Sequence, residues 1–260
     1  MTDITANRPT RNPWAARLAL LGAVVAVAAA VALVLAPLGY RAGLISLRTA
    51  LLEVPRIYVF YAGIAGAAIS LIALAMTAAG RRGGWAALAV IGIIIGAGSA
   101  YVPWKFAQMG RAVPPVNDIT TDTANPPAFE AVMPLREAAK AEPVTYSPDF
   151  PAMQKQAFPD IGPQHLNQPV DRAFSIALDA VHKMGWKIVA ADGERDRIEA
   201  TDTTLWYGFT DDIVVRVSAE DGGSRIDIRS KSRIGRGDFG TNARRVRAYL
   251  AAVKSEIGSS

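Results

Sequence analysis

The 260-residue sequence contains no cysteine and only two histidines, His165 and His182. The absence of cysteine excludes disulfide bonds, thiolate metal sites and cysteine nucleophiles, and it leaves the cellular compartment open. The GxSxG, HExxH and Walker motifs are missing as well, so the familiar signatures of hydrolases and nucleotide-binding proteins are lacking. His165 is expected in a loop and His182 late on a helix, where a surface position is more typical than a catalytic one.

Charged side chains are absent from three long stretches, Leu18–Tyr40, Ile57–Gly80 and Gly83–Trp104. Each exceeds the roughly 20 residues that a helix needs to cross the hydrocarbon core of a lipid bilayer. The stretches therefore predict three transmembrane helices. The first could instead be a cleaved signal peptide, but its apolar run is longer than a usual signal core, and a retained helix is favoured. Without ionisable residues inside the stretches, transport by these helices alone is not expected.

Small residues recur at steps of four in the second and third stretches. Ala62, Gly66 and Ser70 follow this spacing, as do Gly92 and Gly96, and such a pattern lets helix backbones approach closely in lipid. Packing within one bundle is the favoured interpretation. A homo-oligomer formed through Gly92 and Gly96 is the alternative.

Charge is distributed unevenly along the chain. Residues 1–106 carry a net charge of +7 and residues 107–260 a net charge of −2. Because the positive charge belongs to the membrane region, nucleic-acid binding is not expected.

The short loop with Arg81 and Arg82 favours a cytoplasmic N-terminus. This orientation predicts a multi-pass protein of the inner (plasma) membrane with a periplasmic, extracytoplasmic C-terminal domain.

The sequence predicts four regions: an N-terminal tail (1–17), a three-helix membrane region (18–106), a Pro-rich segment (107–168) and an α+β domain (169–260). Twelve of the 16 prolines lie within residues 103–169. They predict an extended segment that wraps over the domain, with at most a short helix around residues 153–157.

The C-terminal domain shows two kinds of periodicity. An amphipathic helix is predicted from Pro169 to Gly185, and alternating apolar residues then predict strands with hairpin turns at residues 192–193 and 221–223. A last helix is predicted from about Asp238 to Ile257. This order predicts an α+β fold, a two-layer domain of antiparallel sheet with two helices on one face.

Basic residues concentrate at the end of the chain, where residues 225–260 carry a net charge of +6. Arg229, Lys231 and Arg233 alternate onto one sheet face, and Arg236, Arg244 and Arg245 lie near the start of the last helix. Such a group could bind a phosphate, a carboxylate or an anionic lipid head group. The favoured alternative is that these arginines pair with acids of the same domain, for example Arg216 or Arg229 with Asp227 or Asp212.

Other polar patterns give weaker indications. Neighbouring strand residues point to opposite faces, so a hairpin or capping role is favoured for Asp211-Asp212 over a catalytic pair. The oxygen-rich run 117–127 could hold a hard cation, but Asx and Ser/Thr turns share its composition, and no metal is predicted. The GxGxxG pattern at 235–240 lacks a following parallel strand, so no cofactor is predicted. Trp186, Trp206, Tyr207 and Phe209 are expected to pack in the core or on the sheet rather than line a pocket.

Several ordered blocks resemble the bacterial and plastid family called domain of unknown function 1499. The blocks are DITTDTANPPAF (118–129), the pair Gly185-Trp186, IEATDTTLWYGFTDDIVVRV (198–217) and IDIRSKSRIGRGDFGTNARRVRAYL (226–250). The resemblance covers about residues 118–257, and members with three leading transmembrane helices resemble the whole chain. The family carries no assigned activity, so the resemblance implies no catalytic residue.

The sequence favours a non-catalytic membrane protein of the cell envelope whose α+β domain binds an anionic ligand or a protein partner. The alternative is a membrane-tethered hydrolase or transferase that acts on a lipid or cell-wall substrate through Asp and Arg residues. The candidate ligand-binding residues are Asp118, Thr121, Asp122, Asp211, Arg216, Arg229, Arg233, Asp238, Asn242 and Arg245. If these acids and arginines met in one pocket, the enzyme would be favoured.

Overall fold

The computed structural model describes residues 13–78 and 83–258, and the chain divides into two compact units, one up to Gln108 and one from Met109. The N-terminal residues 1–12 and the Arg81-Arg82 pair lie outside the described residues, as does the predicted end of the second stretch at Gly80. The orientation inferred from the Arg81-Arg82 loop therefore stays a prediction.

The first part of the chain is helical. Its elements are α1 (Pro13–Arg41), a π-helical segment (Thr49–Val59) that continues directly into α2 (Phe60–Ala78), and α3 (Gly83–Ala112). Within residues 13–78 and 83–258, three helices are long and apolar enough to cross a membrane: Pro13–Arg41, Thr49–Thr77 and Gly83–Ala112. The predicted number of spans is confirmed. The second helix begins at Thr49 rather than Ile57 and the third extends beyond Trp104, because a helix can continue with charged residues where it leaves the hydrocarbon.

Glycine residues let these helices approach closely. A methyl group at Gly96 would lie 2.6 Å from the carbonyl oxygen of Gly63 and 2.8 Å from the backbone nitrogen of Ala67, and Gly92 lies against Ser70. Only a residue without a side chain fits such a contact. The predicted packing within one bundle is confirmed at these positions, whereas association of two copies through Gly92 and Gly96 stays a prediction.

The second unit contains an α+β domain. Its elements are β1 (Asp118–Thr120), α4 (Met133–Ala138), α5 (Phe150–Ala157), β2 (Gln164–Leu166), α6 (Val170–Met184), β3 (Lys187–Asp192), β4 (Arg197–Thr203), β5 (Thr210–Glu220), β6 (Gly223–Ser232) and α7 (Thr241–Gly258). The sheet is antiparallel, with the order β1-β6-β5-β4-β3 and β2 also paired to β6. The predicted α+β fold with an antiparallel sheet and flanking helices is confirmed.

One predicted detail of this unit is wrong. The Pro-rich segment contains two short helices, α4 and α5, rather than at most one, because residues distant in sequence hold α4 in place. The predicted last helix is confirmed as α7, which begins at Thr241. Asp238 precedes the helix and accepts hydrogen bonds from the backbone N–H groups of Gly240 and Asn242, at 2.8 and 2.6 Å, as a capping residue does.

Helices α6 and α7 cover the apolar face of the sheet. Gly185 ends α6 with a φ of 70°, a conformation that glycine adopts without strain. The next residue, Trp186, is buried and stacks on Tyr249 of α7, with ring centroids 5.5 Å apart. Alternate apolar residues of the strands, including Ile213 and Ile228, complete the core.

The opposite face of the sheet is charged and yet buried. Arg229 and Lys231 of β6 and Asp212 of β5 lie on this face and are almost completely inaccessible to solvent. Residues of the Pro-rich segment cover them, and Phe129 and Val132 pack there on Val214. This covered charged layer positions most of the candidate site residues.

Candidate functional site

The Arg229 cluster consists of Asp118, Arg229 and Lys231. Antiparallel pairing places Asp118 of β1 opposite Lys231 of β6. Arg229 donates two hydrogen bonds to the Asp118 carboxylate, from Nε to Oδ1 at 2.9 Å and from Nη2 to Oδ2 at 2.7 Å, and Nζ of Lys231 lies 3.2 Å from Oδ2. Such a bidentate, charge-assisted pair is strong and directional. Arg229 thus pairs with an acid of its own domain, but the partner is Asp118 rather than Asp227 or Asp212.

Arg229 also binds the Pro-rich segment. Its guanidinium donates hydrogen bonds to the carbonyl oxygens of Pro127 and Val144, at 3.2 and 2.6 Å, and lies 4.9 and 5.4 Å from the ring centroids of Phe129 and Tyr146. Burial and the nearby Asp118 carboxylate raise the pKa of Tyr146, although the charge of Arg229 opposes this shift. The guanidinium therefore holds residues 127–146 against the sheet.

The Asp212 cluster repeats this arrangement with residues from α4 and the end of β6. Asp212 is fully buried, with Nη1 of Arg136 at 2.6 Å from Oδ2 and Nη2 of Arg233 at 2.7 Å from Oδ1. Arg136 also donates a hydrogen bond to the carbonyl oxygen of Glu142 at 2.8 Å. The predicted hairpin or capping role for Asp212 is wrong, because Asp212 lies within a strand and its carboxylate pairs with the buried Arg136 and the partly buried Arg233.

The Arg245 cluster lies on the other face of the sheet. Nη2 of Arg245 is 2.7 Å from Oδ2 of Asp211 and 2.8 Å from Oδ2 of Asp202, and Nη1 donates a hydrogen bond to Oδ1 of Asn242 at 2.7 Å. Asn242 in turn donates to the backbone carbonyl of Asn117 at 3.1 Å. Asp211 and Asp212 therefore point to opposite faces, as strand geometry predicts, and the capping role is wrong for Asp211 too.

The pKa of Asp238 is raised, mainly because burial disfavours the charged carboxylate. The negative charge of the neighbouring Asp211 raises this pKa further, whereas hydrogen bonds from the backbone N–H groups of Asn242 and Gly240 lower it. These hydrogen bonds use both oxygens of Asp238 in the α7 cap. Arg236 lies in the preceding loop and is exposed, so of the three arginines predicted near the helix start only Arg245 is buried.

Sequence reasoning did not select two buried polar residues that join the segment to the sheet. Glu199 accepts hydrogen bonds from the backbone N–H groups of Glu130 and Val132, at 2.8 and 2.9 Å. Gln154 of α5 accepts one from the N–H of Thr120 and donates one to the Thr120 carbonyl. Glu199 stands in the strand pattern as an ordinary solvent-facing residue, and nothing in the local sequence marks Gln154.

One part of the charged layer reaches solvent. The Asp122 depression, with a volume of about 330 Å³, is lined by Asp122, Asn125, Arg216, Ser218, Arg225 and Asp227. Nη2 of Arg216 lies 3.0 Å from both Asp122 and Asp227, which confirms the predicted Arg216–Asp227 pair. The Arg216 and Arg225 side chains are 23% and 27% exposed. The buried Thr121 helps to fix the position of the Asp227 carboxylate, because its hydroxyl donates a hydrogen bond to Oδ1 of Asp227 at 2.9 Å.

The β4–β5 loop carries large exposed apolar side chains. Leu205 is 81% and Trp206 57% exposed, so the prediction that Trp206 packs in the core or on the sheet is wrong. Tyr207 stacks on Phe209, with ring centroids 5.1 Å apart. The exposure of Trp206 follows from its place at the tip of the loop.

The ten candidate residues thus fall into several groups: the Arg229 and Asp212 clusters, the Asp122 depression, and the Arg245 cluster and α7 cap, which share Asn242. A family model described as "Protein of unknown function (DUF1499)" matches residues 118–253, just over half of the chain. The chain belongs to this family. No curated protein and no solved structure matches the chain.

The DUF1499 region contains all ten candidate residues. Their acids are paired with guanidinium or backbone N–H groups, and no group of three His, Cys, Asp or Glu side chains within residues 13–78 and 83–258 could hold a metal ion. The arrangement can neutralise buried charge and fix the Pro-rich segment. Among the arginines of these groups, those of the Asp122 depression have the largest exposed fractions, 23% for Arg216 and 27% for Arg225.

Proposed function

We propose that this DUF1499 protein is a non-catalytic, membrane-anchored protein of the cell envelope whose α+β domain binds a ligand with a phosphate or carboxylate group. The ligand-binding site is the Asp122 depression. The observation that carries this proposal is the partial exposure of Arg216 and Arg225 in one depression, where Asn125 and Ser218 add further polar groups.

The separate pairing of the other acids supports a non-catalytic role. General acid–base catalysis needs groups that converge on one reacting atom. Asp118, Asp211 and Asp212 instead neutralise different arginines, two of these acids on one sheet face and one on the other. This geometry does not favour a hydrolase or transferase that works through an Asp and Arg cluster.

The donors of the Asp122 depression suit an oxygen-rich group. A guanidinium carries five N–H donors, and Arg216 contacts both neighbouring carboxylates through Nη2 alone. Its Nε and Nη1 can therefore donate to a ligand, together with the Asn125 amide and the Ser218 hydroxyl. Because two acids balance the two arginines, binding depends on these hydrogen bonds more than on net charge.

Ligand binding is tested with the full chain in lipid nanodiscs by isothermal titration with inorganic phosphate and with acetate. The double variant Asn125→Ala, Ser218→Ala leaves the ion pairs of the depression intact. Losing two hydrogen bonds of about 0.7 kcal/mol each weakens binding about tenfold. The control Ser175→Ala, on α6, binds like the unmodified chain. Absence of binding, or equal binding by the double variant, would refute the proposal.

We also propose that the membrane is the inner membrane and that the domain lies on its extracytoplasmic side. The chain has no native cysteine, so single cysteines report on topology directly. Asp221→Cys, in the exposed β5–β6 turn, is expected to react with a membrane-impermeant maleimide in intact spheroplasts. Gly83→Cys, next in sequence to the Arg81-Arg82 pair, is expected to react only after lysis. The reverse pattern would place the domain in the cytoplasm.

A further inference from the structure

One end of the sheet brings together three segments of the domain. Thr203 pairs with Thr210 where β4 and β5 join, Asp211 pairs with Ser232 at the end of β6, and Asp118 begins β1 opposite Lys231. The loops 204–209 and 233–237 and the incoming residues 113–117 therefore lie at this end. We call it the tether end, because the chain from the membrane helices enters the domain here.

Close contacts fix the incoming chain at the tether end. The backbone N–H of Ser232 donates to the carbonyl oxygen of Asn117 at 2.9 Å, and the Asn117 amide donates to the carbonyl oxygen of Gly235. Trp104, the last residue of the third uncharged stretch, precedes Asn117 by only 13 residues. At no more than about 3.5 Å per residue, these 13 residues span at most about 45 Å, which limits how far the tether end can lie from the bilayer.

The tether end presents apolar side chains on an ordered loop. Leu205 and Trp206 are 81% and 57% exposed. The loop that carries them is closed by hydrogen bonds from the N–H groups of Gly208 and Phe209 to the carbonyl and hydroxyl oxygens of Thr204, at 3.0 and 2.9 Å. Loop 204–209 therefore holds both side chains outward in a defined conformation.

Charge at the tether end is also compatible with lipid. Asp202 and Asp211 pair with Arg245, and Asp212 pairs with Arg136 and Arg233, so the three carboxylates are balanced by three guanidinium groups. Arg236 in loop 233–237 is exposed and forms no ion pair with any residue in the described ranges 13–78 and 83–258. Proteins that bind at the membrane interface commonly place leucine and tryptophan at the level of the lipid head groups and arginine beside the phosphates. The tether end has the same residue types.

We propose that the tether end of the domain binds the phospholipid surface, with Leu205 and Trp206 inserted at the head-group level and Arg236 close to lipid phosphates. The Asp122 depression lies towards the β5–β6 turn, at the opposite end of the sheet. Lipid binding at the tether end therefore leaves the depression open to the aqueous phase. The inference rests on the membrane anchoring and does not depend on a ligand in the depression.

The test uses the full chain in nanodiscs of phosphatidylcholine, with and without phosphatidylglycerol. Leu205→Cys and the matched control Asp221→Cys, at the opposite end of the sheet, are each labelled with an environment-sensitive fluorophore. We expect blue-shifted emission from position 205 and several-fold stronger quenching by doxyl-labelled phosphatidylcholine than at position 221. Arg236→Gln is expected to reduce the quenching at 205 in the anionic nanodiscs.

Two results would overturn the proposal. One is equal quenching at positions 205 and 221. The other is a label at 205 that is shielded from water but not quenched by doxyl lipid, since a protein partner or a second copy would then occupy the loop. Both labelled positions are exposed, so neither label is expected to disturb the fold. A urea-unfolding midpoint equal to that of the unmodified chain verifies for each variant that the domain remains folded.

Discussion

Replacing Asp118 with alanine is expected to lower the free energy of unfolding of the α+β domain by about 3–5 kcal/mol, because the substitution leaves two buried cations without their carboxylate. Arg229 and Lys231 both contact Asp118, and none of the three side chains is more than 5% exposed. Burying a charge without a partner is among the most costly changes in a folded protein. Urea unfolding of the full chain in nanodiscs, followed by the circular dichroism of the sheet, measures the loss.

An exposed ion pair of similar length provides the control. Arg247 donates to Asp160 at 2.6 Å, but the two side chains are 40% and 54% exposed. The Arg247 guanidinium lowers the pKa of Asp160 through this hydrogen bond, yet solvent screens such pairs, so Asp160→Ala is expected to change stability by less than about 1 kcal/mol. Equal effects of Asp118→Ala and Asp160→Ala would show that burial of the Arg229 cluster contributes nothing.

Replacing Gly96 with valine is expected to destabilise the helix bundle by about 3 kcal/mol, through overpacking. The first side-chain atom would already lie 2.6 Å from the carbonyl oxygen of Gly63 and 2.8 Å from the backbone nitrogen of Ala67. Both neighbours are backbone atoms, so no side-chain rotation relieves the overlap, and the helices must move apart. The full chain is unfolded in mixed micelles by increasing the fraction of sodium dodecyl sulfate. The distance between the helices is monitored during this titration, and the detergent fraction at the midpoint measures the stability of the bundle.

Gly98 on the same helix is the matched control. A methyl group there meets nothing within 4 Å, so Gly98→Val makes the same change in helix propensity without an overlap. We expect Gly98→Val to unfold at nearly the same detergent fraction as the unmodified chain. If Gly96→Val and Gly98→Val unfolded at the same detergent fraction, close packing at Gly96 would not stabilise the bundle.

The elements that the sequence predicts well have local causes. Uncharged runs long enough to cross lipid identify the three spans, and the change of apolar period, with turns at 192–193 and 221–223, identifies the sheet. Gly185 ends α6 where the sequence indicates. Hydrophobic pattern and turn chemistry depend on neighbouring residues, so one sequence is sufficient to recognise them.

The candidate site depends on contacts that the local pattern does not contain. Asp118 and Arg229 are 111 residues apart, and Arg136 and Asp212 are 76 apart. Charges that alternate along a strand usually face solvent, whereas here the Pro-rich segment buries them. Helix α4 was missed for the same reason, since it is only six residues long and is held by Arg136. The exposure of Trp206 likewise depends on where the loop lies in the fold.

The buried ion pairs of the DUF1499 region hold residues 117–146 on the sheet. Hydrogen exchange of the full chain in nanodiscs tests this role most directly, by comparing Arg229→Met with the unmodified protein. We predict at least about tenfold faster exchange across residues 117–146, including the amides of Glu130 and Val132, and a smaller change in β3, β4 and α6. Unchanged exchange across residues 117–146 would contradict the account.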